Sequence, residues 1–443
     1  MTTPREVFSP GSYPRHTYVL RTFKELRGGK VKVRDPEEEI EKAFATDGVI
    51  VQITGPSKSG KTVMVERIFE RSKMISIGGS RIIDAKELWR LVCAHLKIGV
   101  AHTKSQQTSE RKRSTIEASA TGKFVAADIK VGGSYSDESG RDHGTKYEVP
   151  DDFFTAATDA LVNREMILFI DDFHTVPLEV RESVTHQLKL AIAKRVKVCL
   201  ADVPHRADEP VKQVPDLTGR IRKIQFDHWG HEDLKEIAIK GFTALGVILN
   251  GSAVTALAAE ASGSPQLMQH LCLGVCDHLG IRESIDPPKK FSLALDDLEV
   301  VFIDTLNVAE RETICLALER GLRKEGEILE KHGMRGLENG TKYEFALGAM
   351  ALNPPHINLP WDRGSDSVDS RIVKLKATPD QDQPSNEVIE STFSDLVRIS
   401  ASSSPKSPPI DFDVLKGVNI LDPYFLYYLR WCKKYYDIRG AVK

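Results

Sequence analysis

Gly55-Pro56-Ser57-Lys58-Ser59-Gly60-Lys61-Thr62 sets two glycines, a lysine and a hydroxyl at the spacing G-x-x-x-x-G-K-[ST], which serves phosphate chemistry. Phosphate oxygens need a backbone that approaches closely with its N–H groups turned inward. Gly55 and Gly60 permit that geometry, and a helix beginning at Lys61 adds the positive end of its dipole. Lys61 is the residue to pair with β- and γ-phosphates, and the Thr62 hydroxyl is the one to bind Mg²⁺. Pro56, Ser57, Lys58, Ser59 and Val63 complete the expected cradle. Downstream, Ile167-Leu168-Phe169-Ile170-Asp171-Asp172 is an apolar run that ends in two carboxylates. Asp171 suits the magnesium role, through water, and Asp172 suits the orientation of an attacking water. A chance Gly/Ser loop and two solvated carboxylates are the plain alternatives. Both motifs in this order make nucleotide binding the expectation.

Such residues need a strand before the loop and a helix after it. Val49–Thr54 is β-branched and bounded by Asp47-Gly48 and Gly55-Pro56, which predicts a buried strand. Lys61–Ser72 has helical spacing at Val63, Val65, Ile68 and Phe69. Met166–Ile170 and Val196–Ala201 read as further buried strands and Ile221–Phe226 as a short one, with helices predicted over 35–45, 85–96, 153–163 and 177–194. This alternation predicts a parallel sheet covered on both faces. Between 104 and 146 the composition turns to Ser, Thr, Gly and charge, which reads as an inserted flexible hairpin. Period-3.6 spacing over 231–245, 253–262 and 265–279, without a strand candidate between, predicts a helical lid. Residues 290–352 read as mainly helical, 354–384 as a long loop or linker, and 386–436 as helix, turn, short strand and aromatic helix. The expected fold is α/β: a P-loop NTPase parallel-sheet core with a helical lid and a C-terminal winged-helix-like domain. Its boundaries are 1–35 for an N-terminal extension, 36–228 for the core with an insertion at about 101–150, 229–288 for the lid, 289–384 for a helical region and linker, and 385–443 for the winged-helix-like domain.

This order of motifs resembles the AAA+/STAND group of P-loop ATPases, from about Val49 to Leu279 with looser support to Trp431. Leu217-Thr218-Gly219-Arg220 resembles the group's hydrophobic-Gly-Arg motif, whose arginine senses the γ-phosphate, so the resemblance gives Arg220 a catalytic role. Gly263-Ser264-Pro265 matches its Gly-x-Pro lid motif, which implies that Pro265 packs near the adenine. The preference for ATP over GTP is likewise implied by the resemblance, since the loop itself reads phosphates. Asp202 stands where the group has a polar sensor. Arg206 is either a finger toward a neighbouring subunit or a solvated loop arginine. More narrowly, Asp171–His174, Trp229, Gly241-Phe242, Ser262–Gln269 and Asp422–Phe425 look like a prokaryotic, origin-recognition-like or archaeal-type subfamily that is common among antiphage genes. Two departures stand out. The interval from Lys61 to Asp171 is long, which the insertion explains. Asp172 occupies a position where mechanically active machines have Glu, a substitution more like slow-hydrolysing switches.

Composition bounds the partners. The 443 residues carry 61 Lys+Arg against 63 Asp+Glu, a formal net charge of -2, so a dedicated polyanion binder is not indicated and any nucleic-acid contact rests on a local patch. A hydrophobic fraction of 41% with 28% charged residues excludes global disorder. Apolar runs are too short for a membrane span and the first residues lack a leader pattern, so the chain reads as cytoplasmic. The six cysteines show no paired CxxC spacing and read as reduced core thiols. Cys272 and Cys276, four apart beside His270 and His278, read as core packing before a metal face. His174 is either a site residue or a hydrogen-bonded structural one. The basic stretch at Lys104 and Arg111-Lys112-Arg113 reads as a solvated loop or a contact for nucleic acid or a partner. The C-terminal aromatics exceed what one small module buries, so packing on another domain or subunit is expected.

Together these features predict a Mg²⁺-dependent, slow ATPase switch that controls oligomerisation or a separate effector protein, with a role in antiviral defence. A DNA-associated AAA+ ATPase of the origin-binding or transposition-regulator type is the second expectation, and a scaffold that binds ATP without turnover the third.

Overall fold

A computed structural model describes residues 1–98, 153–203, 219–361, 364–378 and 383–440, except 28–29, 57, 307, 324–326, 365 and 406. The expected hairpin within 101–150, its basic stretch, Ser57 and Arg206 lie outside the described residues.

After a short helix α1 (Pro4–Val7), the strands β1 (Phe23–Arg27) and β2 (Lys30–Arg34) pair antiparallel. Asp35 caps the next helix, α2 (Pro36–Phe44), by accepting from the Glu37 and Glu38 amides, and Pro36 sits at its first position, where a missing N–H costs nothing. The core follows as β3 (Ile50–Thr54), α3 (Lys61–Phe69), β4 (Met74–Gly78), α4 (Ala85–His95), α5 (Phe153–Asn163), β5 (Ile167–Asp171), α6 (Leu178–Ala193), β6 (Lys197–Asp202) and β7 (Ile221–Gln225). The five core strands form one parallel sheet in the order β4-β5-β6-β3-β7.

Both faces of that sheet are buried, which the near-continuous apolar strands require. Ile50, Ile75, Leu168, Ile170, Val198 and Leu200 pack one way against α4, α5 and α6. Val51, Ile53, Phe169, Cys199 and Ala201 pack the other way against α2 and α3. On the first face Trp89 of α4 meets Phe154 of α5 edge-on at 5.1 Å, and Cys93 Sγ reaches the Phe153 carbonyl at 3.6 Å.

The lid consists of α7 (His231–Ala244), β8 (Val247–Leu249), α8 (Gly251–Glu260), α9 (Pro265–His278), β9 (Lys289–Phe291) and α10 (Leu295–Asp304). It contains the strand that helical spacing alone did not predict, because β8 is three residues long and pairs with β9 forty residues on. Val7, Phe8 and Val19 of the expected N-terminal extension share its hydrophobic core. Gly241 makes this possible, since a Cβ there would lie 2.1 Å from Phe8 Cε1.

The C-terminal module runs through α11 (Val308–Arg320), the hairpin β10 (Lys331–Met334) and β11 (Leu337–Thr341), α12 (Lys342–Ala351), β12 (Asn358–Leu359), α13 (Val368–Lys374), α14 (Asn386–Ser403), β13 (Ile410–Asp413), β14 (Gly417–Ile420), α15 (Pro423–Trp431) and α16 (Lys433–Gly440). One hydrophobic core joins Cys315 to Ile438, which corrects the boundary expected at 385. The expected linker is also corrected: β12 adds to the three-stranded sheet β12-β14-β13, and Arg371 of α13 is fully buried, bound to Asp366 and to the Ala349 and Leu352 carbonyls. The aromatic helix is two helices, broken where Cys432 turns to extended backbone. Their aromatics divide between two cores, Tyr427 and Trp431 in the lid and Phe425, Tyr428 and Tyr435 in the C-terminal module. Between those cores Arg430 donates to both Glu260 oxygens, at 3.1 and 2.7 Å, and Trp431 Nε1 donates to Glu260 at 2.8 Å.

Candidate functional site

The loop 55–60 leaves the end of β3, the strand flanked by β6 and β7, and runs into α3. Two glycines are dictated by geometry. A Cβ on Gly55 would stand 2.6 Å from Phe226 Cβ, and Gly60 adopts φ +90° at the start of α3. The loop is tied down on both sides: the Gly55 amide donates to the Asp202 carbonyl at 3.1 Å, and Trp229 Nε1 donates to the Ser59 carbonyl at 2.8 Å.

Lys61 is buried at 6% exposure, and its Nζ donates to the carbonyls of Gly55 and Pro56 at 2.9 and 2.7 Å. Burial lowers the pKa of its ammonium group, while the Asp172, Asp171 and Asp202 carboxylates oppose that shift. Thr62 Oγ1 donates to Asp171 Oδ2 at 2.7 Å, which brings the first turn of α3 to the end of β5. Burial raises the Asp171 carboxyl above its ordinary value, with the Thr62 hydroxyl opposing. A hydroxyl and a half-buried carboxylate at this separation, beside a buried lysine, form a donor set that a magnesium–polyphosphate requires.

Asp172 is exposed and sits in the left-handed region at φ 50°, where its side chain borders the same cavity. Its carbonyl accepts from the Thr175 amide and hydroxyl, and Gly79 allows this turn to pack, since a Cβ there would lie 2.4 Å from the Asp172 carbonyl oxygen. Asp202, at the end of the intervening strand β6, is fully buried and accepts from Gln52 Nε2 at 2.8 Å. Burial pushes its carboxyl up to about 7, against the Gln52 hydrogen bond.

A cavity of about 570 Å³ opens over the loop, a size suited to a nucleotide. Lys58, Ser59, Gly60, Lys61, Thr62 and Val63 line its floor, and Pro265 and Gln269 of α9 border it from the lid. Pro265 begins α9 under a Ser264 cap. The roof is the part that sequence reasoning missed. Pro10, Tyr13, Tyr18 and Arg21 line the cavity, and the Ser9 amide fixes Gln269 by donating to its Oε1 at 2.8 Å. Arg21 lies 4.6 Å from the Phe23 ring and 4.7 Å from the Trp229 ring and donates to the His228 carbonyl at 2.9 Å. The available signal was the aromatic and basic content of 13–23, which a segment without periodicity does not assign to any partner.

Arg220 is not brought to the site. It is exposed and immediately precedes β7, where its carbonyl accepts from the Ile50 amide at 2.8 Å. In the parallel register Ile221 lies beside Ile50 and Gln225 beside Thr54, so Arg220 stands at the opposite end of the strand that carries the loop. Six steps of about 3.3 Å along the strand separate the two by about 20 Å. The expected phosphate-sensing role of Arg220 is therefore corrected. Cys272 and Cys276 are both buried in the lid core, where burial raises both thiols. His174 is buried, its carbonyl accepts from Arg181 at 2.9 Å, and it does not line the cavity.

No family model matches the chain. Among solved structures it is similar to the Walker-type ATPase of Pyrococcus abyssi, at 15% identity over 89% of this chain and 94% of that one, with a TM-score of 0.44. It is also similar to Cdc6p from Pyrobaculum aerophilum, at 10% identity over 98% of each chain with a TM-score of 0.39. A third similarity is to the Holliday junction branch migration motor RuvB of Thermotoga maritima, at 15% identity over 65% of this chain and 75% of that one, with a TM-score of 0.36.

Proposed function

We propose that this α/β P-loop protein is a Mg²⁺-dependent ATPase of the AAA+/STAND kind that turns over slowly and acts as a regulatory switch on assembly or on a separate effector. The observation that carries the reading is the Thr62–Asp171 pair at 2.7 Å beside the buried Lys61. Magnesium, when bound, supplies charge neutralisation between the phosphates. Thr62 and Asp171 hold it, directly and through water. Lys61 exchanges its two loop carbonyls for phosphate oxygens, and the amides of 58–62 at the start of α3 hold the rest of the chain of phosphates. Asp172, exposed at the cavity wall, is placed to orient water, and its shorter side chain fits slow turnover. The base lies between the N-terminal segment and Pro265. Choice of ATP, and a role in antiviral defence, rest on the motif resemblance.

The C-terminal hairpin β13–β14 exposes Val414 and Leu415 at its tip, with Asp411 and Asp413 on its first strand. That surface offers DNA phosphates little, so the DNA-associated reading draws no support from it. Light scattering on wild type and Lys61→Ala, with and without an ATP analogue and Mg²⁺, tests the proposal. A mass increase lost in Lys61→Ala supports a switch that controls assembly. ATP binding without a mass change leaves effector control as the output, and absence of ATP binding overturns the proposal.

A further inference from the structure

One side chain of the phosphate loop is held from outside the ATPase core. Lys58 Nζ lies 3.2 Å from Asp422 Oδ1, 364 residues away, and 4.2 Å from the centre of the Tyr424 ring. Asp422 is the N-cap of α15 in the C-terminal module, accepting from the Tyr424 amide at 3.1 Å. Its other oxygen accepts from Arg311 Nη2 of α11 at 3.3 Å. The Tyr424 ring is a shared platform, with Arg311 5.4 Å above it and His270 of the lid edge-on at 5.8 Å. Lys58 itself adopts φ +61°, a conformation that is unfavourable for a non-glycine residue and persists where its surroundings fix it.

Resting on the nucleotide reading above, we propose that Asp422 is a latch that competes with a bound polyphosphate for Lys58, so that filling the phosphate loop releases the C-terminal module. Charge sets the direction. A polyphosphate in the loop draws the Lys58 ammonium inward and repels the Asp422 carboxylate. The exchange leaves nothing stranded: Lys58 gains phosphate, while Asp422 keeps Arg311 and its helix cap. The contact is half exposed, with side-chain exposures of 29% and 19%, so it is weak enough to be broken by a ligand and strong enough to bias a two-state arrangement. Because coupling is reciprocal, whatever the polyphosphate costs the latch, the latch costs polyphosphate affinity. The Glu260–Arg430 pair ties α15 to the lid, so release at Asp422 is felt by lid and C-terminal module together.

ATP·Mg²⁺ affinity, measured by calorimetry on the full chain, tests this in wild type, Asp422→Asn, Lys58→Gln and the double variant. Asn keeps the capping oxygen and loses the charge. The latch requires that Asp422→Asn tighten ATP about three- to tenfold in the wild-type background and leave it unchanged in the Lys58→Gln background. Equal tightening in both backgrounds would show a general charge effect and overturn the latch, as would unchanged or weaker binding by Asp422→Asn. Failure of wild type itself to bind ATP would instead remove the nucleotide reading, and the latch with it.

Discussion

The Thr62 hydroxyl and the Asp171 carboxylate, 109 residues apart in the chain, meet at 2.7 Å across the end of the sheet. Strand β6 lies between β5 and the β3 strand that feeds α3, so the contact spans β6 at the end of the sheet where α3 starts. Thr62→Ala and Asp171→Asn should each raise the Mg²⁺ concentration needed for half-maximal phosphate release by at least about tenfold. Retention of the wild-type magnesium dependence in both would refute the assignment.

Lys61→Met keeps the buried stem and removes the charge. Phosphate release should fall by about 100-fold or more, and the rise in thermal midpoint on adding ATP·Mg²⁺ should vanish. A midpoint that still rises as in wild type would show that the ligand sits elsewhere.

The buried Asp202 gives a pH dependence of defined sign. Its folded-state value near 7 lies above the ordinary carboxylate value of 3.8, so between those values the folded state holds a proton that the unfolded state has lost. Unfolding free energy therefore falls as pH rises through this window, by at most about 1.4 kcal/mol per pH unit, and levels off above it. Asp202→Asn should remove this component from a urea-unfolding series run from pH 5 to 7. An unchanged slope in the variant would assign the effect to another group.

Gly241→Ala forces a methyl to within 2.1 Å of the Phe8 ring in a buried contact. Overpacking of this kind costs about 1–3 kcal/mol. Because Phe8 anchors the segment that roofs the cavity, chemical denaturation should show the loss together with weaker ATP binding. Wild-type stability would mean that the N-terminal segment packs differently.

Arg430→Met leaves Glu260 buried beside Trp431 without its cation. Breaking a buried pair by removing one partner costs about 3–5 kcal/mol. Calorimetric unfolding should broaden or divide as the lid and C-terminal module lose their joint. A single transition at the wild-type temperature would count against the pair as that joint.

The parts of the site that lie close together in sequence were legible. A loop defined by eight consecutive residues, with an apolar run before it and helical spacing after it, contains its own geometry, and Asp171-Asp172 announces itself by ending a buried strand. Arg220 was misassigned because a dipeptide does not say which end of a strand it occupies; only the register of Ile221 with Ile50 does. The roof and the latch were illegible for a related reason. Tyr13, Arg21 and Asp422 reach the loop through tertiary packing, and neither period nor motif relates residue 58 to residue 422. The supposed linker at 354–384 misled through its prolines and serines, since its burial depends on a few residues such as Leu359, Val368 and Arg371.

The packing of α4 on α5 has a consequence for how this chain tolerates change. Cys93 holds both rims of the interruption in the core: its carbonyl accepts from the Ile98 amide at 2.9 Å, and its thiol meets the Phe153 carbonyl. Ile98 and Phe153 are thus held at one residue, beside the Trp89–Phe154 contact. Because Ile98 and Phe153 are both tied to Cys93, a short Gly-Ser bridge between them has little distance to span and adds little closure entropy.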